Sequence, residues 1–264
     1  MTAFVWFAVH AAWGAELQYP LTAAVDGENT IFVADRFLPG IWRIREGKAS
    51  IFFQASKRFR TPLNAVRCVA FDGKGRLLAG DSATREVYRF EDEKPVPLTG
   101  GEIGIPMGIV ADLDDSIYVT DLEIPRIVRI DGEGGMSVLA KVPAPRGLGK
   151  SKDGKLLVVS HGKNQLLEVN PADGSVRVVV EGTPFSFPHE VRQAADGTIF
   201  VSDGYAKAIW RVGPGGKPAK WIAGPPLQNP VGIALVQERL LIVDPRAKNL
   251  FWADNEGRLT PVLK

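Results

Sequence analysis

The chain has 264 residues, 45% of them apolar and 23% charged, enough to bury a sizeable core. Thirty-two basic against thirty acidic residues leave a formal charge of +2, so nothing in the overall balance points to nucleic acid or an anionic membrane as a partner. The single cysteine, Cys68, excludes an intramolecular disulfide and a CxxC metal site, and reads as a small buried apolar side chain.

The first predicted element is the run Phe4–Ala15, apolar and uncharged, too short to form a stable membrane span. It has two readings. One is the core of a signal peptide cut before Glu16, although no Lys or Arg precedes it and bulky Trp13 sits three residues before the cut. The other is an extra outer strand. The run lies wholly before the first repeat and carries no turn signals. Residues 1–16 are therefore expected to be a leader, and the protein extracytoplasmic (secreted or periplasmic) rather than cytoplasmic.

From residue 17 to 264 one unit of four short strands recurs six times, as a single domain. In the first unit Pro20 opens an inner strand, IFVAD ends at Asp35, and IWRI (41–44) and IFF (51–53) follow. In the second, Val66 replaces the proline, LLAGD ends at Asp81, and VYRF (87–90) and VPL (96–98) follow. The third runs from Pro106 through IYVTD to Asp121, then IVRI (127–130) and SVLA (137–140). The fourth opens at Pro145, has LVVSH ending at His161, then LLEV (166–169) and VRVVV (176–180). The fifth opens at Pro188, with IFVSD to Asp203, IWRV (209–212) and KWIA (220–223). The sixth opens at Pro230, with LLIVD to Asp244, LFWA (250–253) and TPVL (260–263).

The second-strand ends, from Asp35 to Asp244, are spaced 46, 40, 40, 42 and 41 residues apart. That is the period of a four-stranded propeller blade. Turn pairs such as Asp153-Gly154 and Asp196-Gly197 between the first two strands have tight-hairpin chemistry. No segment reads as a helix longer than a turn or two. A lone four-stranded unit cannot cover both faces of its sheet, whereas six packed radially can. The fold class is all-β, a six-bladed β-propeller with four antiparallel strands per blade and no clear strand exchange at its closure.

The stretches PMGIVADLDDSIYVTDLEIPRIVRID and PHEVRQAADGTIFVSDGYAKAIWRV resemble NHL repeats, in which a P-x-G-[IV]-A-V-D segment precedes I-Y-V-A-D and a strand of R-I type. The same pattern occurs in the SMP-30/gluconolactonase group and the peptidyl-amidoglycolate lyases, and the resemblance covers roughly residues 17 to 264. It implies the fold and leaves the activity open, since propellers host many functions.

Departures from the repeat mark candidate site residues. The residue after the opening position reads Leu21, Arg67, Met107, Arg146, His189 and Val231, and resemblance to related propellers implies that it faces the central channel. The next position, usually Gly, holds Glu190 in the fifth unit. Arg67, Arg146 and His189 are thus expected to share a channel mouth suited to a carboxylate, sulfate or phosphate, unless each Arg pairs with a nearby acid such as Glu123, Glu190 or Asp121. His161, standing where other units have Asp, Asn64 in a four-residue insertion, and Arg36 and Tyr205 after the marker Asp complete the candidate rim. In VSDGY, Tyr205 matches a stretch of the amidoglycolate lyases whose tyrosine is catalytic, and a hydrogen-bonded loop tyrosine is the bland alternative.

The lactonases of the resemblance bind a divalent metal through Glu, Asn and Asp, some just after the opening proline, where this chain has no oxygen ligand. The lyases hold zinc with several histidines, of which only His189 fits. No metal site and no cofactor are therefore expected, with Ca or Zn belonging only to an atypical lactonase-like hydrolase or a lyase. The basic loop Lys57, Arg58 and Arg60 reads as solvated. The expected role is that of a monomeric binding module for a protein partner or a small anionic ligand, with no nucleic acid. Protein recovered from its own host should begin near Glu16 by mass spectrometry, and an intact Met1 or Thr2 would favour the extra strand.

Overall fold

The computed structural model describes residues 16–263 except Pro39, Lys57 and Phe59, so the Phe4–Ala15 run, with both its readings, lies outside the described residues. Each predicted quartet is an antiparallel sheet with its strands in chain order, and six such sheets form the propeller, with no helix among the described residues. The inner strands are Pro20–Val25, Val66–Phe71, Pro106–Ala111, Pro145–Lys150, Pro188–Gln193 and Gly232–Val236.

Second strands such as Ile31–Asp35 and Ile117–Asp121 are buried at every residue. Both faces of these sheets meet a neighbouring blade, which is why their sequences are continuous apolar runs rather than alternating ones. The core is accordingly divided into six clusters, one per seam between blades. Blades one and six close the ring by packing Ala23, Val33 and Trp42 against Ala234, Leu241 and Val243. Among the described residues no sheet borrows a strand from elsewhere in the chain. Cys68 is a buried side chain, as expected, and lies in the seam between blades two and three, where burial pushes its thiol pKa well up.

Each marker aspartate is fully buried and joins two loops. The Asp35 carboxylate accepts the backbone N–H groups of Gln18 (2.7 Å) and Tyr19 (2.9 Å) before the inner strand. It also accepts that of Phe37 (2.9 Å) in the turn after the second strand, and the indole N–H of Trp42 (3.2 Å). Asp203 repeats the pattern with Ser186, Phe187, Ala206 and Trp210.

Blade four corrects the sequence reading by one place. Strand register pairs Pro20 with Asp35 and Pro188 with Asp203, but Pro145 with Ser160. Ser160, not His161, is the marker equivalent. Its hydroxyl donates to the Pro143 carbonyl (2.6 Å) and accepts from the Gly162 N–H (2.9 Å). His161 takes the next position, its N–H bonding the Ala144 carbonyl (3.1 Å) as that of Arg36 bonds Tyr19 (2.9 Å).

The inner strands converge on the axis with little room. A Cβ on Gly108 would lie 2.7 Å from the Leu148 nitrogen and 2.9 Å from the Leu148 Cβ, and one on Gly232 would lie 2.5 Å from the Leu21 carbonyl. Gly108→Ala should cost about 1–3 kcal/mol in chemical denaturation. Gly213→Ala, with nothing within 4 Å of the added carbon, should stay within about 0.5 kcal/mol. Equal losses at the two sites would contradict the close approach.

Candidate functional site

A bulge sits at the start of each inner strand in blades one to five. Two residues of the inner strand oppose one of its neighbour between Pro20 and Thr22, and again between Val66 and Cys68. The same extra residue falls beside Asp121 in blade three and within Pro145–Leu148 and Pro188–Val191. A bulge re-aims the side chain it carries. All six residues of this repeat position, Leu21, Arg67, Met107, Arg146, His189 and Val231, line one cavity of about 280 Å³ at the channel mouth.

The walls are cationic. Arg67 and Arg146 are half-buried inside, and Arg36 and Arg246 are exposed at the rim. Among the described residues no carboxylate oxygen comes within 4.0 Å of any of the four. The acids named as alternative partners are engaged elsewhere: Glu123 with Arg85, Asp121 with Arg126 (3.2 Å) and Glu190 with Arg192 (2.8 Å). Arg67 Nε donates to the Ser82 hydroxyl (3.0 Å). The Arg146 guanidinium stands 5.0 Å from the Phe187 ring centroid, and its buried Nε has no hydrogen-bond partner. Burial, and then the neighbouring guanidinium, lowers the pKa of each: Arg36 acts on Arg67, and Arg67 on Arg146.

Phe187 is the hub of the far wall. Its ring meets the edges of His161 (4.4 Å) and His189 (5.0 Å) and stacks on Tyr205 at 4.6 Å and 20°. His161 Nε2–H donates to the Pro188 carbonyl (2.7 Å), and burial lowers its pKa. Burial, followed by the charge of Arg146, brings His189 down to about 3. Both rings are neutral at neutral pH. Gly204 makes room for His189: a Cβ there would lie 3.2 Å from Nε2.

Glu190 forms part of the floor. Its carboxyl reaches over Gly147, where a Cβ would come within 2.9 Å of Oε1. Burial raises its pKa, and Arg192 opposes that rise. Tyr205 is not a hydrogen-bonded loop residue: among the described residues its hydroxyl finds no protein partner, and its ring stacks instead.

His161 packs against Phe187 and does not itself line the cavity, and Asn64 stands apart from it. Its amide donates to the Ser56 carbonyl (2.7 Å) and ties down the insertion that carries it. Besides Thr22, four lining residues were missed by the sequence reading: Tyr19, Phe187, Asn229 and Arg246. The first three all precede the opening proline of their repeat, and Arg246 sits two residues after its marker Asp, as Tyr205 does. Reading those two repeat columns finds them. A larger hollow of about 860 Å³ between blades one and six is open, and its Arg45 faces Glu28 at 3.8 Å, so its charge is compensated.

The donors present do not fit a divalent cation. Guanidiniums dominate the mouth, the one carboxylate lining it is held by Arg192, and among the described residues no three His, Cys, Asp or Glu side chains converge.

No family model matches the chain. A virginiamycin B lyase of Nocardia farcinica is 29% identical over 157 residues, 60% of this chain and 54% of that protein, so the match spans about half of that relative's length. The structure of a virginiamycin B lyase from Staphylococcus aureus superposes with a TM-score of 0.73 at 17% identity, covering 95% of this chain and 87% of that one. A gluconolactonase of Xanthomonas campestris gives 0.74 at 19% identity, covering 92% of each chain. The solved neighbours are thus SMP-30/gluconolactonase-like and NHL-type propellers, and at these identities the likeness is one of fold.

His189 sets a pH dependence. Its native pKa lies below the ordinary value of 6.5, so the unfolded chain takes up the proton first as pH falls. The stability contributed by the neutral ring is complete above about 6.5 and is lost progressively toward about 3. In native protein, imidazole NMR signals of His189 should not titrate between about pH 8 and pH 5. His189→Gln should flatten the fall of Tm below about pH 6.5. A titration midpoint near the ordinary value would show that the ring is solvated.

Proposed function

We propose that this propeller is a binding module that takes a small organic anion into the mouth of its channel, held by Arg67 and Arg146. One observation carries the reading: two half-buried guanidiniums face a single cavity, and no carboxylate oxygen of the described residues lies within 4.0 Å of either. Burying a charge without a partner is costly, and here Arg36 adds to the cost of Arg67 and Arg67 to that of Arg146. A ligand carboxylate would supply charge-assisted hydrogen bonds to the two guanidiniums. Arg36 and Arg246 at the rim add a field that draws anions inward. The cavity, at about 280 Å³, falls just below the usual range for small-molecule sites, about 300–1,000 Å³, which favours a small molecule over a protein partner.

A second reading, a lyase of the virginiamycin B lyase kind, rests on the partial match to the Nocardia protein. His189 is the histidine among the cavity-lining residues, and its low pKa makes it a weak base.

Arg146→Ala should weaken anion binding by about 1.5–3 kcal/mol, the range for a charge-assisted hydrogen bond, while leaving Tm unchanged or higher. A thermal-shift screen of monocarboxylates, dicarboxylates, phosphate and sugar acids supplies the ligand for that comparison. No stabilisation by any anion would defeat the proposal. Virginiamycin B incubated with the protein should be recovered intact, and its turnover would establish the lyase reading instead.

A further inference from the structure

Resting on the reading of the channel mouth as an anion site, we infer that the ligand is a small aromatic carboxylate. Its ring stacks on Tyr205 while its carboxylate sits at Arg67 and Arg146. Phe187 is enclosed by Arg146, Tyr205 and the two histidine edges. Tyr205 is not: Phe187 covers part of its ring, and the residue is 68% exposed at the lip of the cavity. Among the described residues its hydroxyl makes no contact that would account for its place.

Blade one carries a similar aromatic pair beside the mouth. Phe37 is 62% exposed and leans on Tyr19 at 5.4 Å, with the Arg36 guanidinium 5.7 Å from its centroid. Tyr19 also lines the cavity. The mouth is therefore cationic inside and aromatic at the edge. Inorganic sulfate or phosphate would satisfy the arginines and leave the rings in water. A ligand carrying a ring next to its carboxylate satisfies both, because aromatic pairs gain in offset stacking beyond the area they bury. The cavity of about 280 Å³ has room for a ring and a short acid arm and for little more.

The test is isothermal titration of the full chain with 3-phenylpropanoate, 3-cyclohexylpropanoate and propanoate. 3-Phenylpropanoate should bind at least about tenfold more tightly than propanoate, through added apolar burial. It should bind about threefold more tightly than its cyclohexyl analogue, through stacking. Tyr205→Ala should abolish the phenyl-over-cyclohexyl preference and Tyr205→Phe should keep it, which a role for the hydroxyl would not allow. The side chain is exposed, and Tm of each variant verifies its fold. If all three acids bind equally, the aromatic assignment is wrong and the anion site stands. If Tyr205→Ala leaves the preference intact, the platform is elsewhere and the inference fails. If none of the acids binds, both readings fall together.

Discussion

The molecule depends on one repeated interaction, a buried carboxylate at the end of the second strand of a blade. It gathers the backbone N–H groups of two loops that have no ladder to join, the approach to the inner strand and the turn after the second strand. Buried backbone donors without partners are expensive, so this junction lets irregular chain sit at the top of a tightly packed ring. Those same loops carry the rim residues of the mouth: Tyr19, Phe187 and Asn229 from one, Arg36, Tyr205 and Arg246 from the other. Positioning of the site is thus a consequence of what holds each blade shut. Blade four makes do with a serine hydroxyl. Its neighbour His161 reaches across to the Pro188 carbonyl of blade five, so the fourth junction is tied to the fifth blade rather than only to itself.

The second constraint is crowding at the axis. Inner strands approach so closely that glycine is needed at 108, 147 and 232. Where the residue is not glycine, its side chain makes a polar contact of its own. Thr22 accepts the N–H of Val69 through its hydroxyl (3.1 Å), and Glu190 is buried with Arg192 (2.8 Å). The bulged position just above escapes that crowding, and its side chains open onto the cavity. Structure is carried by one position and chemistry by the one before it. A propeller can change what it binds without changing how it closes, which is why fold likeness to a lyase and a gluconolactonase leaves the activity to be argued from side chains.

The charge distribution follows the same division. Glu123, Asp121 and Glu190 lie near the mouth, but each is committed to an arginine of its own blade or of the blade before it. The excess positive charge left at Arg67 and Arg146 belongs to the cavity rather than to the protein as a whole, whose formal charge is only +2. Bulk composition could not have shown it.

Much of this was legible in the residues alone. Six copies of a four-strand pattern, ending at Asp35, Asp81, Asp121, Asp203 and Asp244 with one exception, determine a propeller, because a single such sheet cannot cover its own apolar faces. The gathering of Leu21, Arg67, Met107, Arg146, His189 and Val231 followed from equal position in equal repeats. What the repeat could not supply was register and partnership. LVVSH ends in a residue that looks like a substituted aspartate, and only strand pairing shows that Ser160 fills that place and His161 the next. Asn64 stood close to the rim in the repeat and was drawn away by its own loop. Phe187 and Arg246 came from neighbouring columns that no single repeat marked as unusual. Whether an arginine was paired depended on which acids reached it across blades. Sequence periodicity specifies which residues are equivalent, whereas hydrogen bonds and charge pairs form between residues far apart in the chain, and those distances exist only once the ring has closed.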